Sequence, residues 1–186
     1  MTIKNISKLY SLATILLLLI SVGCSPSIKR MIPNTNNLTL NSKQKSIKIL
    51  EATGNKVEKG KLIMSVQLMN LEPEDLTILI RDSFTKTGLF SKVVLSGEAD
   101  YTLSANIKYQ SQRAHTNAAV ETFLRIEYKI INYDQTQVVW EEEIGSSNDV
   151  KITQKLNGIT RSVHSFEGAV RQNIERLIQK ISKLPL

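Results

Sequence analysis

The sequence predicts an α+β fold, an antiparallel sheet of four to five strands with two helices packed on one face. Two kinds of pattern predict it. In Tyr101-Leu103-Ala105-Ile107-Tyr109 every second residue is apolar or aromatic, with Thr102, Ser104, Asn106 and Lys108 between them. Val120, Leu124, Ile126, Tyr128 and Ile130 repeat the alternation against Arg125, Glu127 and Lys129. A period of two belongs to strands buried on one side and wet on the other, the signature of an antiparallel sheet covered on one face. Elsewhere the apolar residues return every three or four positions, as helices require.

Taken in order, Ile47, Ile49 and Leu50 predict a first strand and Leu62 to Leu68 a second, separated by turns at Gly54-Asn55 and Lys59-Gly60. A helix then begins at Asn70 to Asp75. Pro73 suits a first helical turn, and Glu72, Glu74 and Asp75 suit the positive end of its dipole. Leu76, Leu79, Ile80 and Phe84 share one face, and Gly88 is placed to cap the far end. After the two alternating strands, Tyr133-Asp134-Gln135-Thr136 makes a short connection to Val138-Val139-Trp140, which predicts a hairpin. A long helix from about Ile159 to Leu184 closes the chain. Val163, Phe166, Val170, Ile174 (or Asn173), Leu177, Ile181 and Leu184 form its stripe, with Arg161, Glu167, Arg171, Glu175, Arg176 and Lys180 elsewhere. Such a stripe packs on the sheet.

The N-terminus follows a different logic. Met1 to Lys8 carries Lys4 and Lys8 and no acid, and the apolar run Ile15-Leu16-Leu17-Leu18-Leu19-Ile20 follows. A basic start and an apolar core too short for a comfortable bilayer span read as a secretory leader. The leader ends in Ser21-Val22-Gly23-Cys24, which resembles the lipobox of bacterial lipoproteins, although Ser21 stands where that motif usually has Leu. The resemblance implies cleavage between Gly23 and Cys24 and lipidation of Cys24. Cys24 is the one cysteine of the chain, so no disulfide competes for it. Several acyl chains hold a protein stably where one does so marginally. The next residue is Ser25, not Asp, which in lipoproteins of the enterobacterial type implies onward transport to the outer membrane. The expected organisation is a leader at 1–23, a flexible tether at 24–45, rich in Asn and with two prolines, and one domain at 46–186.

The net charge of +7 loses two units with the leader, and the remaining Lys and Arg alternate with Glu and Asp. No RNP, zinc-finger or basic-helix pattern is present, so nucleic acid is not an expected partner. His115 and His164 stand apart from each other and from any metal-ligand spacing, and both are expected to be solvated. Glu141-Glu142-Glu143 is the densest acid cluster. On a strand Glu141 and Glu143 face one way and Glu142 the other, so it reads as a charged sheet edge that resists aggregation. Phosphate-binding, dinucleotide, nucleophile-elbow and zinc-protease motifs are missing, so no catalytic residue, metal or cofactor is assigned, and the chain is not expected to be an enzyme.

From Asp75 to Trp140 the order of features is distinctive. A helix ends in Thr87-Gly88-Leu89-Phe90, Val93-Val94 follows, then Ala99-Asp100-Tyr101-Thr102-Leu103, and a hairpin ends in Val138-Val139-Trp140. This resembles small envelope lipoproteins of the YajG, LpoB and CsgG kind, whose shared domain is similar to the anticodon-binding fold. The resemblance implies a non-enzymatic periplasmic module, anchored through Cys24, that serves as an accessory or assembly factor for an envelope protein partner. A lipid- or lipopolysaccharide-handling role of the LptE type and a pore role of the CsgG type are the other readings it opens. Against the first, Ser25-Pro26 follows the cysteine where LptE proteins have Gly-Phe. Against the second, the region from Ala114 to Ile144 is heavily charged.

Overall fold

A computed structural model of the chain describes residues 25–34, 40–54, 69–115, 119–134 and 136–186. Gly23, Cys24 and the strand expected at 62–68 lie outside them. The described elements are α1 (Ile28–Met31), β1 (Lys43–Ile49), β2 (Thr53–Gly54), α2 (Pro73–Thr87), β3 (Phe90–Val94), β4 (Tyr101–Ala114), β5 (Val120–Asn132), β6 (Val138–Val150) and α3 (Gly158–Lys183).

The α+β class holds, but the sheet is mixed and has six strands. Its order is β3-β1-β4-β5-β6, with β2 paired to β4 beyond the end of β1. β1 runs parallel to both β3 and β4, whereas β4, β5 and β6 form an antiparallel meander. The parallel pairs added to the expected antiparallel sheet have a topological reason. α2 lies between β1 and β3 in sequence, and a helical crossover returns the chain in its original direction, so the two strands it joins are parallel. β4 then starts at the level where β3 stops: Val94 pairs with Lys48, and Tyr101 pairs with the adjacent Ile47. Asp100 secures that crossing. Its Oδ2 accepts from the Ser46 amide at 2.8 Å and the Ser46 hydroxyl at 2.7 Å, and its own N–H donates to that hydroxyl at 3.0 Å.

Both long helices lie on one face. A single core joins Ile47 and Ile49 of β1, Leu103, Ala105 and Ile107 of β4, and Ile126, Tyr128 and Ile130 of β5 to the apolar stripes of α2 and α3. α2 starts with Pro73 at its first turn and stops at Gly88, whose φ of 60° is the left-handed conformation that glycine adopts without strain. α3 is capped by Asn157, whose side chain accepts from the amides of Ile159 and Thr160. Its interface with the sheet also carries neutral polar groups. Tyr128 Oη donates to Asn173 Oδ1 at 2.7 Å, and Asn173 Nδ2 donates to the Ile144 carbonyl at 2.8 Å. Gln112 Nε2 reaches Thr122 Oγ1 and the Ser162 carbonyl, both at 2.9 Å. Burial of Tyr128 pushes its phenol far above its ordinary pKa, so it is a neutral donor at every physiological pH.

Two further expectations change. β1 begins at Lys43, and the stretch read as the start of a tether is folded: Ile28 to Met31 form a helical turn, and Met31 is 4% exposed. Within β4 the alternation breaks. Ile107 pairs with Ile126 and Tyr109 with Arg125, so Lys108 is an extra residue, a β-bulge, and everything after it changes face. Tyr109, read from its spacing as a companion of Ile107, therefore lies on the helix-free face, and Gln110 and Gln112 take the inward positions.

Candidate functional site

Two regions concentrate side chains that the core does not use. The first is the helix-free face of β4, β5 and β6. Its central part is a ladder of cross-strand ion pairs: Lys108 with Glu127 at 3.1 Å, Arg125 with Glu143 at 3.4 Å, and Lys129 with Glu141 at 3.5 Å. Lys108 holds the carboxyl of Glu127 below its usual range, chiefly by hydrogen bonding. Toward the β4–β5 hairpin the face changes character. The bulge brings Tyr109 beside Arg125, whose Cζ lies 5.1 Å from the ring centroid, and Arg113 covers Phe123 at 5.8 Å. Opposite Arg125 on β6 stands Gly145, and the space it leaves opens a shallow depression of about 540 Å³. Tyr109, Arg113, Phe123, Arg125, Ser147 and Arg176 border it. Arg176 comes from α3 and wraps the sheet edge to donate to the Gly145 carbonyl.

The triad Glu141-Glu142-Glu143 splits as strand alternation requires. Glu141 and Glu143 pair on the open face, and Glu142 turns inward to Lys180 of α3 at 2.5 Å. All three carboxylates are thus held in separate ion pairs on the edge strand.

The second region is the docking of the segment that follows Cys24. Glu167, counted from the sequence among the polar positions of the last helix, is 2% exposed. One of its oxygens accepts from the Ser27 amide at 2.8 Å and lies 3.1 Å from Arg30 Nε. Arg171 donates to the Arg30 carbonyl at 3.1 Å and Lys86 of α2 to the Pro33 carbonyl at 3.3 Å. A buried carboxylate is tolerated only when paired and hydrogen-bonded, so these partners account for Glu167 as much as Glu167 accounts for the docked turn. Ile28 and Met31, three residues apart, supply the apolar side of the contact.

The histidines are separate. His115 Nε2 lies 2.9 Å from Glu121 Oε2 at the hairpin, and His164 Nδ1 lies 3.9 Å from Glu167, each ring part-exposed. Among the described residues no three His, Cys, Asp or Glu are grouped as a metal ion would need. No helix among them is long and apolar enough to cross a membrane, which leaves β-barrels unaddressed. A second depression, beside the Asp100 clasp, is lined by Lys45, Glu98, Tyr133 and Asp134. A hydrogen bond from Tyr133 to Glu98 raises that phenol's pKa.

No family model matches the sequence, and no curated protein matches it. Among solved structures, the fold is similar to that of a Xanthomonas campestris protein of the DUF330 family. The TM-score is 0.56 and the identity 14%, over 80% of this chain and 88% of that one. Weaker similarities are found to a minor lipoprotein from Acinetobacter baumannii, with a TM-score of 0.48 and 12% identity over 77% and 96% of the two chains. The PelC dodecamer from Paraburkholderia phytofirmans also scores 0.48, with 9% identity over 76% and 89%. At such identities the first shows a shared fold, and the other two add nothing to the reading of the site.

Proposed function

We propose that the chain is an exported lipoprotein, anchored through Cys24 on the periplasmic face of the outer membrane. There it acts as a non-enzymatic accessory or assembly module that binds another envelope protein through its open sheet face. The observation that supports the binding role is the composition of that face near Gly145. Two part-exposed aromatic rings, each covered by an arginine, border a depression in a surface otherwise filled by ion pairs. Tyrosine, phenylalanine and arginine are the residues enriched where proteins meet proteins, and rings supply contact area at low entropic cost. Arg113, Arg125 and Arg176 favour an acidic segment on the partner. The ladder of charges on the same face argues against lipid contact there, and so against a pore-forming role.

Two measurements test this reading. Cells fed a fatty-acid analogue should label the wild-type protein and not Cys24→Ala. Label on the alanine variant would end the anchor reading. A photoreactive amino acid replacing Ser147, beside the depression, should crosslink a specific envelope protein in intact cells, whereas the same group at Lys92 on β3 should not. Crosslinks to lipopolysaccharide alone would move the assignment to the lipid-handling class.

A further inference from the structure

The connection between β6 and α3, together with the first turn of α3, exposes three large apolar side chains within eight residues: Leu156 is 86% exposed, Ile159 43% and Ile152 41%. This is not a loose loop. Arg161 Nη1 donates to the carbonyls of Lys155 and Leu156 at 2.8 and 2.6 Å. Gln154 Oε1 accepts from the Lys151 amide at 2.8 Å, and Asn157 caps the helix that follows. With its backbone pinned on both sides, the loop holds Leu156 out in solvent, where an apolar side chain of that size is unfavourable unless something covers it.

The charge of the same stretch is one-sided. Between Asp149 and Glu167 there is no acid, and Lys151, Lys155 and Arg161 are fixed cations, with His164 beside them. Asp149, on β6, is the nearest exposed carboxylate in sequence, and Glu167 is buried against Arg30. An apolar stretch free of acids and carrying Lys151, Lys155 and Arg161 matches one surface in particular, an anionic headgroup layer with acyl chains beneath it.

The docked N-terminal segment says which end of the domain such a surface would meet. From Ser27 at Glu167 the chain runs to Arg30 at Arg171 and on to Lys43, whose Nζ donates to the carbonyls of Ser182 and Leu184. These contacts run along α3 from the helix's first half to its C-terminus, and Ser25 stays beside the same dock, its carbonyl accepting from Arg30 at 3.2 Å. Three residues span at most about 11 Å, so Cys24 stays within that distance of Ser27. At 1.5 Å per residue, Glu167 is itself only about 13 Å along the axis from Gly158.

We infer that the loop from Lys151 to Asn157, with the first turn of α3, is a membrane-facing surface that inserts Leu156 into an anionic lipid layer, and that the Glu167–Arg30 dock holds the domain flush in that orientation. This rests on lipidation of Cys24. The domain is then not carried on a tether some twenty residues long, but seated at the bilayer with one end down.

The full chain, expressed with its own leader and purified in detergent, can be reconstituted into vesicles of phosphatidylethanolamine and phosphatidylglycerol that carry nitroxide-labelled lipid. A lipidated Cys24 has no free thiol, so a bimane dye reports from Leu156→Cys or, as control, from Lys92→Cys on β3. The emission at 156 should be largely lost to quenching while that at 92 persists. Glu167→Gln in the Leu156→Cys background, folded by circular dichroism, should recover part of the emission. Lys151→Gln with Lys155→Gln should do the same without disturbing the dock. Equal emission at 156 and 92, in protein whose mass shows acylated Cys24, overturns the inference. If the mass shows unmodified Cys24, the anchor reading fails by itself. The surface is then judged by flotation of that protein with phosphatidylglycerol vesicles: retention that depends on Leu156 keeps it, and no retention discards it.

Discussion

The two faces of the β4–β6 meander are built from the same three strands and treat polar groups in opposite ways. On the face covered by α3, the polar side chains under the helix are neutral, buried and bonded at short distances, Tyr128 to Asn173, Asn173 to the Ile144 carbonyl, and Gln112 to Thr122 and Ser162, with the Glu142–Lys180 pair at the edge as the charged exception. On the open face they are charged, wet and paired loosely across strands at 3.1 to 3.5 Å. The difference is one of solvent. A buried donor left without a partner costs its full desolvation, whereas an exposed ion pair that breaks is rehydrated at once. The inner contacts therefore fix how α3 is rolled on the sheet, and the outer ones leave the side chains of the open face free to adjust.

The contrast gives a graded set of expectations. The largest concerns Asn173→Ala, which strands both the Tyr128 hydroxyl and the Ile144 carbonyl and leaves a small void. Urea denaturation should show a loss of about 2–4 kcal/mol. A loss below 1 kcal/mol would mean that the inner network carries little. Next is Gly168→Ala on the same interface. Alanine favours a helix interior by about 1 kcal/mol, but the new Cβ would lie 2.3 Å from Asn148 Nδ2 and 2.5 Å from its Cγ. Asn148 would have to give up its bonds to the His164 and Ser165 carbonyls, so a net loss of about 1 kcal/mol is expected. A net gain would show that Asn148 moves freely.

Lys129→Ala, which breaks the pair with Glu141 on the open face, should change stability by no more than about 0.5 kcal/mol, and less in high salt. The smallest effect belongs to Asp100, a carboxylate held by the Ser46 amide and hydroxyl and paired with Lys45 at 3.5 Å. The Ser46 amide, and then the Ser46 hydroxyl, lower its pKa below the usual 3.8. A lowered folded pKa contributes stability that is complete above the unfolded value and disappears as pH falls through the folded one. Asp100→Asn should therefore be less stable than wild type at pH 7, and the difference should shrink as pH falls below about 4 and on through the folded pKa. Thermal melts at pH 7 and pH 3 with the same gap would refute that account.

Much of this architecture is legible in the residues alone. Leu76, Leu79, Ile80 and Phe84 on α2, the stripe of α3, and the alternation of β5 are local patterns, and local patterns survive folding. What was not legible depends on contacts distant in sequence. β3 reads as Phe90-Ser91-Lys92-Val93-Val94, too short to declare itself, and its parallel pairing with β1 follows only from the crossover. The phase of β4 beyond Lys108 is hidden in the sequence because Gln110 and Gln112, polar residues at inward positions, mask the shift that an apolar pair would show. The same mask hides the outward placement of Tyr109, one of the two rings of the candidate binding face. The docked turn had a faint signal in Ile28 and Met31, but the burial of Glu167 that completes it has none.

The bulge at Lys108 has a consequence for how this chain can vary. A one-residue deletion inside a strand ordinarily turns one half of it inside out, since faces alternate. At position 108 the reverse holds. Ile107 and Tyr109 already pair with adjacent residues of β5, so a chain lacking Lys108 would restore an unbroken ladder and keep every other β4 side chain on its present face. β4 thus has one place where its length can change without changing its pattern. Relatives of this domain that differ by a single residue in that strand should carry the gap there.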